Sequence, residues 1–278
     1  MPAPWRAYVA LLVVWTVWSS TYFAIRVVVL DAPALLSSGA RFALAGGALL
    51  AIGLARGDRF PRPIELLRAA PAGVLLFAGG NGLVALAVRT ASSGSAALAC
   101  AVAPVWAAVF SLFMGERPTW RQWLGFALGF GGVAVLCGGG AFPDKRAAIM
   151  LAVAPLCWAS GTVLVRRLPS RASLQLFTGG IGMLVLGMFS GEHVPKTMSG
   201  SAFAAWIYLV VFGSMLAFSA YAYLVRNAST TVAMSYAYVN PVLAVLLGAA
   251  FGGEHVGGEI LLSGALVVGA VFLIVRRR

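Results

Sequence analysis

Charge is what this sequence lacks. Of 278 residues, 10% are charged, 61% are hydrophobic and only eight are acidic. A soluble domain of this length carries about 25% charged residues, so too little polar surface remains to face water. Histidine is nearly absent: His193 and His255 lie in connections, with too few neighbouring ligands for a metal site. Cysteine reaches three, and Cys100, Cys137 and Cys157 form no CxxC pair and no disulfide framework. All three fall inside apolar runs and read as small packing residues. No Ser–His pair, HExxH or GxGxxG after a strand is present. Catalysis therefore has no constellation, and no cofactor is expected.

What is present is a series of long uncharged runs. Ten can be marked, at 7–30, 33–55, 66–88, 93–114, 119–138, 145–167, 172–189, 200–224, 230–251 and 258–275. Runs of about 18 or more apolar residues read as membrane helices. The first is too long for a leader and is interrupted by Trp15, Thr16 and Trp18, so it reads as a retained helix. The chain is thus expected to be an all-α polytopic membrane protein, with the lipid bilayer as its surroundings. A net charge of +12 might suggest nucleic acid, but orientation explains it better. With a cytoplasmic N-terminus, 14 of the 20 basic residues fall on the cytoplasmic side. Both termini are then cytoplasmic, and no nucleic-acid partner is implied.

The chain also repeats itself. Between 88–109 and 225–246, nine of 22 positions are identical at an offset of 137, including Val88, Arg89, Pro104 and Ala107. Trp18, Ser20 and Arg26 return as Trp158, Ser160 and Arg166, and Gly115-Glu116 returns as Gly253-Glu254. The order is kept, which predicts two copies, 1–140 and 141–278, of five spans each. Five is odd, so the second copy enters the membrane from the opposite side. Two inverted five-helix repeats are the build of secondary transporters, because halves of opposite orientation can exchange conformations.

Candidate site residues are those out of place in hydrocarbon. Pro104 and Pro241 sit mid-span in the fourth and ninth runs, where each frees a carbonyl and predicts a helix break or hinge. Trp15, Trp18, Ser19, Tyr22 and Arg26 share one helical face. Tyr22 and Arg26 suit the interfacial belt, whereas Trp15 and Trp18 lie too deep for it. Trp158 and Thr162 are one turn apart in the sixth run, with Pro155 as a further expected break. Asn81 lies at mid-depth in Gly-Gly-Asn-Gly, where its amide needs partners. Ser214, Phe218 and Tyr221 share a face of the eighth run; Tyr236 and Asn240 share one of the ninth, with Tyr238 on the other side. Deep aromatics with a few amides and hydroxyls suit a neutral or zwitterionic small molecule with an apolar side chain. Interhelical hydrogen bonding would use the same residues. No acid lies deep in any run, as a proton-coupled antiporter would want. Only Arg41 could pair with a buried anion. Gly125 and Gly129 form a GxxxG that suits either a homodimer seam or internal packing.

Taken together, Trp18-Ser-Ser and Trp158-Ala-Ser, the Ala/Ser-rich spans with Pro104 and Pro241, the two Gly-Glu pairs and the Gly-rich fifth and tenth runs resemble the drug/metabolite transporter superfamily. Within its ten-helix EamA-type branch, the chain is similar to YddG-like amino-acid exporters of bacterial inner membranes. The resemblance covers nearly the whole chain. It implies a basket with a central cavity lined by the first, third, fourth, sixth, eighth and ninth spans, the fifth and tenth being set aside. One departure is that Glu254 is not followed by a basic residue equivalent to Arg117. The reading is an inner-membrane exporter of aromatic or other neutral amino acids and related metabolites, working by alternating access. Other neutral metabolites or amphiphilic drugs are the alternative cargo. A lipid scramblase or a non-transporting membrane partner is the alternative class.

Overall fold

The computed structural model describes residues 4–91, 96, 99–113, 115, 117–136, 145–194, 197–243 and 258–275. It is built of ten helices, and no strand occurs among the described residues. They are α1 (Pro4–Val29), α2 (Ala34–Ala55), α3 (Pro63–Ala87), α4 (Ala103–Leu112), α5 (Trp120–Leu136), α6 (Lys145–Arg167), α7 (Ala172–Phe189), α8 (Gly200–Asn227), α9 and α10 (Gly258–Val275). α9 starts with Thr230–Ala233 and resumes over 236–243. Six of them, α1, α2, α3, α6, α7 and α8, are long and apolar enough to cross a membrane. At a rise of about 1.5 Å per residue, each spans or nearly spans a hydrocarbon core of about 30 Å.

The expected breaks are redistributed. α6 stays helical through Pro155, so that residue is not a break. Pro104 lies just inside the start of α4, after a turn at Ala101 and Val102. There the Val105 and Trp106 amides both bond the Val102 carbonyl, at 3.0 and 3.2 Å. Pro241 sits within the helical stretch 236–243, and α9 is interrupted earlier, at Met234 and Ser235. Two distortions come where regular helix was expected. α3 is π-helical over Val74–Gly82 and α8 over Leu209–Leu216. A π-helical turn carries an extra residue and is often found at functional sites. Both segments contain glycine, at Gly79, Gly80, Gly82 and Gly213.

Small residues decide which helices pair. α2 lies along α7 and α5 along α10. A methyl group on Gly180 would come within 2.3 Å of the Ala43 amide nitrogen, and one on Gly46 within 2.4 Å of that of Phe177. Only hydrogen fits there, so the α2 and α7 backbones touch. The Glu192 carboxylate, just past α7, accepts the Leu35 and Leu36 amides at 3.0 and 2.8 Å and caps α2. Gly125 packs on Ala270 and Ile274 of α10, and Gly129 on the ring of Tyr238 in α9. The GxxxG of α5 is therefore used inside the chain.

The connections sort to two ends of the bundle. At one end Arg171 reaches the Arg59 carbonyl, Arg167 the Phe113 carbonyl, Arg166 the Ala228 carbonyl and Arg226 the Ser170 carbonyl. At the other, Ser199 donates its amide to Asp31 and Glu192 caps α2.

Candidate functional site

A cavity opens between seven helices and measures about 90 Å³. α1 contributes Trp18, Thr21 and Tyr22; α2 gives Arg41 and Phe42; α3 gives Phe77, Gly80 and Asn81. Cys100 precedes α4 and Ala103 begins it; Pro155 and Trp158 come from α6, Gly213 and Phe218 from α8, and Tyr236 and Asn240 from α9. Among the described residues, α5, α7 and α10 take no part in its lining.

One wall is aromatic. The Trp18 ring meets Tyr236 edge-on at 4.7 Å, Tyr221 at 5.1 Å and Trp158 at 5.6 Å. Phe77 continues the wall to Phe218 at 4.9 Å and to Phe42 at 4.4 Å. Edge-to-face rings hold one another at fixed angles while presenting apolar surface. The π-helical segment of α8 serves this wall directly, because its Gly213 carbonyl accepts the Trp18 indole N–H at 3.0 Å. Glycines make room for it: a methyl on Gly80 would meet the Trp158 ring at 2.9 Å.

The polar groups divide into those that are spent and those that are not. The Thr162 hydroxyl meets the Tyr221 hydroxyl at 2.5 Å and donates to the Trp158 carbonyl at 2.8 Å. Both residues sit behind the wall, with exposures of 0% and 1%. Ser19 donates to the Trp15 carbonyl. The Asn240 amide, oriented by its acceptors, donates to the carbonyls of Trp15 and Tyr236 at 3.2 and 3.1 Å. These bonds lock the backs of α1, α6, α8 and α9. By contrast, Arg41 is 4% exposed and carries a single described hydrogen bond, 3.3 Å to Oδ1 of Asn81. Its guanidinium carbon lies 3.9 Å from the centre of the Phe42 ring, and its Nε has no partner.

Of the residues singled out in the sequence, Trp18, Asn81, Pro155, Trp158, Phe218, Tyr236 and Asn240 line this one cavity. Ser19, Thr162 and Tyr221 support it from behind, and Trp15 stands outside the lining. Tyr22, assigned to the interface by its sequence position, is in the lining. So are Phe42 and Phe77, which nothing in an apolar run distinguishes from other phenylalanines, and the second helix joins the lining through Arg41 and Phe42. Tyr238 points away, onto Gly129.

A second recess, of about 540 Å³, lies at the arginine-rich end and is bordered by Arg68, Arg166, Arg171, Arg226 and Glu65. Glu65 is engaged by Arg59 at 2.6 Å.

The model of the EamA-like transporter family matches residues 5–138 and again 145–276. The chain belongs to this family, within the drug/metabolite transporter superfamily. It is therefore a membrane transporter and not an enzyme. The uncharacterized inner membrane transporter YedA of Escherichia coli K12 is 38% identical over 272 residues, spanning 95% of this chain and 89% of YedA. A probable terminal-alkyne amino-acid exporter of Streptantibioticus cattleyicolor is 28% identical, spanning 98% and 94%. Protein PecM of Dickeya dadantii is 25% identical, spanning 77% and 80%. A crystal structure at 22% identity superposes with a TM-score of 0.80 over 98% of this chain and 96% of its own, a likeness of fold.

Proposed function

We propose that this EamA-like transporter exports amino acids with apolar or aromatic side chains across a bacterial inner membrane. The observation that carries the reading is the cavity itself. It has an aromatic wall for a side chain, and Arg41 and Asn81, where the wall ends at Phe42, are suited to a charged end. A lining of this kind, mostly apolar with few placed polar groups, is what small-molecule recognition uses, and a cavity of about 90 Å³ must widen to take in an amino acid. The S. cattleyicolor relative, named as a probable amino-acid exporter, and YedA, named as an inner membrane transporter, point the same way.

The mechanism follows from the repeat. α1 ends at the end of the bundle where Asp31 meets Ser199, and α6 ends at the opposite one, where Arg166 meets Ala228. The two helices run in opposite directions, which supports two inverted halves, 1–140 and 141–278, rocking about the cavity. The arginine-rich end is the cytoplasmic one. Among the described residues no acid lines the cavity, which favours flux down the substrate gradient over a proton carried by a buried carboxylate.

The test is counterflow into proteoliposomes loaded with each of a panel of unlabelled amino acids. Saturable exchange of leucine, phenylalanine or a similar residue is expected. Exchange confined to amphiphilic cations, or lipid flipping without exchange, would overturn the proposal.

A further inference from the structure

Arg41 needs an anion that the described protein does not provide. It lies in α2, which has the length and composition to span the bilayer, and it is 4% exposed. A buried charge is ordinarily paired or fully hydrogen-bonded, and an arginine inside a membrane faces a cavity or a partner. A guanidinium has five N–H donors. Here the described contacts are one long bond to the neutral amide oxygen of Asn81 and the face of Phe42. Asp and Glu are absent from the cavity lining among the described residues. Glu192, just past α7, is occupied by the amides of Leu35 and Leu36.

We infer that Arg41 is the site for the carboxylate of the transported molecule, with Asn81 as a positioning residue that holds the guanidinium toward the cavity. This rests on the amino-acid reading above and adds which end of the substrate binds where. A planar carboxylate takes the free N–H donors of a guanidinium side by side. The rest of the molecule then extends toward Trp18, Trp158 and Tyr236, which line the same space. Recognition depends on the carboxylate more than on the amine. The substrate class is therefore an apolar carboxylic acid, with or without an α-amino group, and its amides and decarboxylated amines are excluded.

Four probes of one shape separate the contributions: leucine, 4-methylpentanoate (no amine), leucinamide (no carboxylate charge) and 3-methylbutylamine (no carboxyl carbon). Trp18 and Trp158 line the cavity, so quenching of intrinsic fluorescence in detergent reports occupancy, and proteoliposome counterflow reports transport. The two acids should bind and the amide and amine should not, the gap being about tenfold or more in Kd for a charge-assisted pair. Arg41→Gln should abolish that gap. Because Arg41→Gln can fail to fold, Asn81→Asp is the companion variant. It puts a carboxylate at the 3.3 Å contact, neutralises Arg41 internally, and should raise Tm while removing acid binding. Equal binding of all four probes, binding of none, or undiminished acid binding in Asn81→Asp overturns the inference. If 4-methylpentanoate binds through Arg41 but no amino acid exchanges, the inference stands and the amino-acid reading fails. If leucine exchanges equally well in wild type and Arg41→Gln, the amino-acid reading stands and the inference fails.

Discussion

At the scale of the residue, Trp158 separates a wall from a core. It is half-buried, borders the cavity, and touches Trp18, Tyr221 and Phe77 only edge-on or tilted. A core tryptophan cut to alanine costs about 3–5 kcal/mol. We expect Trp158→Ala to insert and purify normally, with a loss of about 1 kcal/mol or less, and with altered flux or substrate preference. Thermal stability and counterflow on one purified sample decide the matter, and a collapse in Tm with unchanged preference would place Trp158 in the core. A second residue, Asp31, gives a pH signature. Its carboxylate accepts the Ser199 amide at 2.6 Å, and this backbone bond holds its pKa below the ordinary 3.8. A depressed carboxylate stabilises the fold above its unfolded value, and the contribution is lost as pH falls through the folded one. The Tm difference between wild type and Asp31→Asn should therefore be constant at neutral pH and close only below 3.8; a difference that closes near neutrality would contradict the assignment. Much of the site was legible at this scale, since Trp18, Asn81, Trp158 and Asn240 stand out against hydrocarbon. Arg41 was visible only as a candidate partner for a buried anion. Its burial depends on α3 and the Phe42 ring closing over it, which no local pattern encodes.

At the scale of the element, the helices were more legible than their interiors. Length and uninterrupted apolarity gave α6 as 145–167, α7 as 172–189 and α10 as 258–275, the bounds found in the structure. The π-helical segments of α3 and α8 were not legible. A π turn keeps the same apolar composition as an α turn, and the partner it meets in α8 is tertiary: the Gly213 carbonyl accepts from Trp18 of α1. Prolines misled for the converse reason. Pro155 is accommodated within an unbroken α6, and the interruption of α9 falls at Met234 and Ser235 rather than at Pro241. The glycines are the sharper test of element pairing. Gly180→Val places a branched side chain where even a methyl would lie 2.3 Å from the Ala43 nitrogen. Separating two packed backbones costs at least the 1–3 kcal/mol of ordinary overpacking, in round figures. We expect a marked fall in Tm or failure to accumulate, whereas Gly47→Val, at a position with open space around it, should leave both unchanged.

At the scale of the whole molecule, orientation is the property to measure. Reporter fusions at Arg278 and in the connection near Ser199 should give opposite signals, because 14 of 20 basic residues fall on the side assigned to the cytoplasm. Matching signals would remove the topology and with it the inverted halves. The proposed two-copy organisation rests on identities that keep their order along the sequence, whereas the pairing of α2 with α7 was not readable there, since it rests on backbone approach. That pairing also constrains movement. Glycine contact along its length and the Glu192 cap at its end fasten α2 and α7 into one stiff plank. Arg41 rides on that plank. Because α2 belongs to one proposed half and α7 to the other, the plank would be the hinge line about which those halves rock, and a carboxylate held by Arg41 would sit beside the axis of that motion.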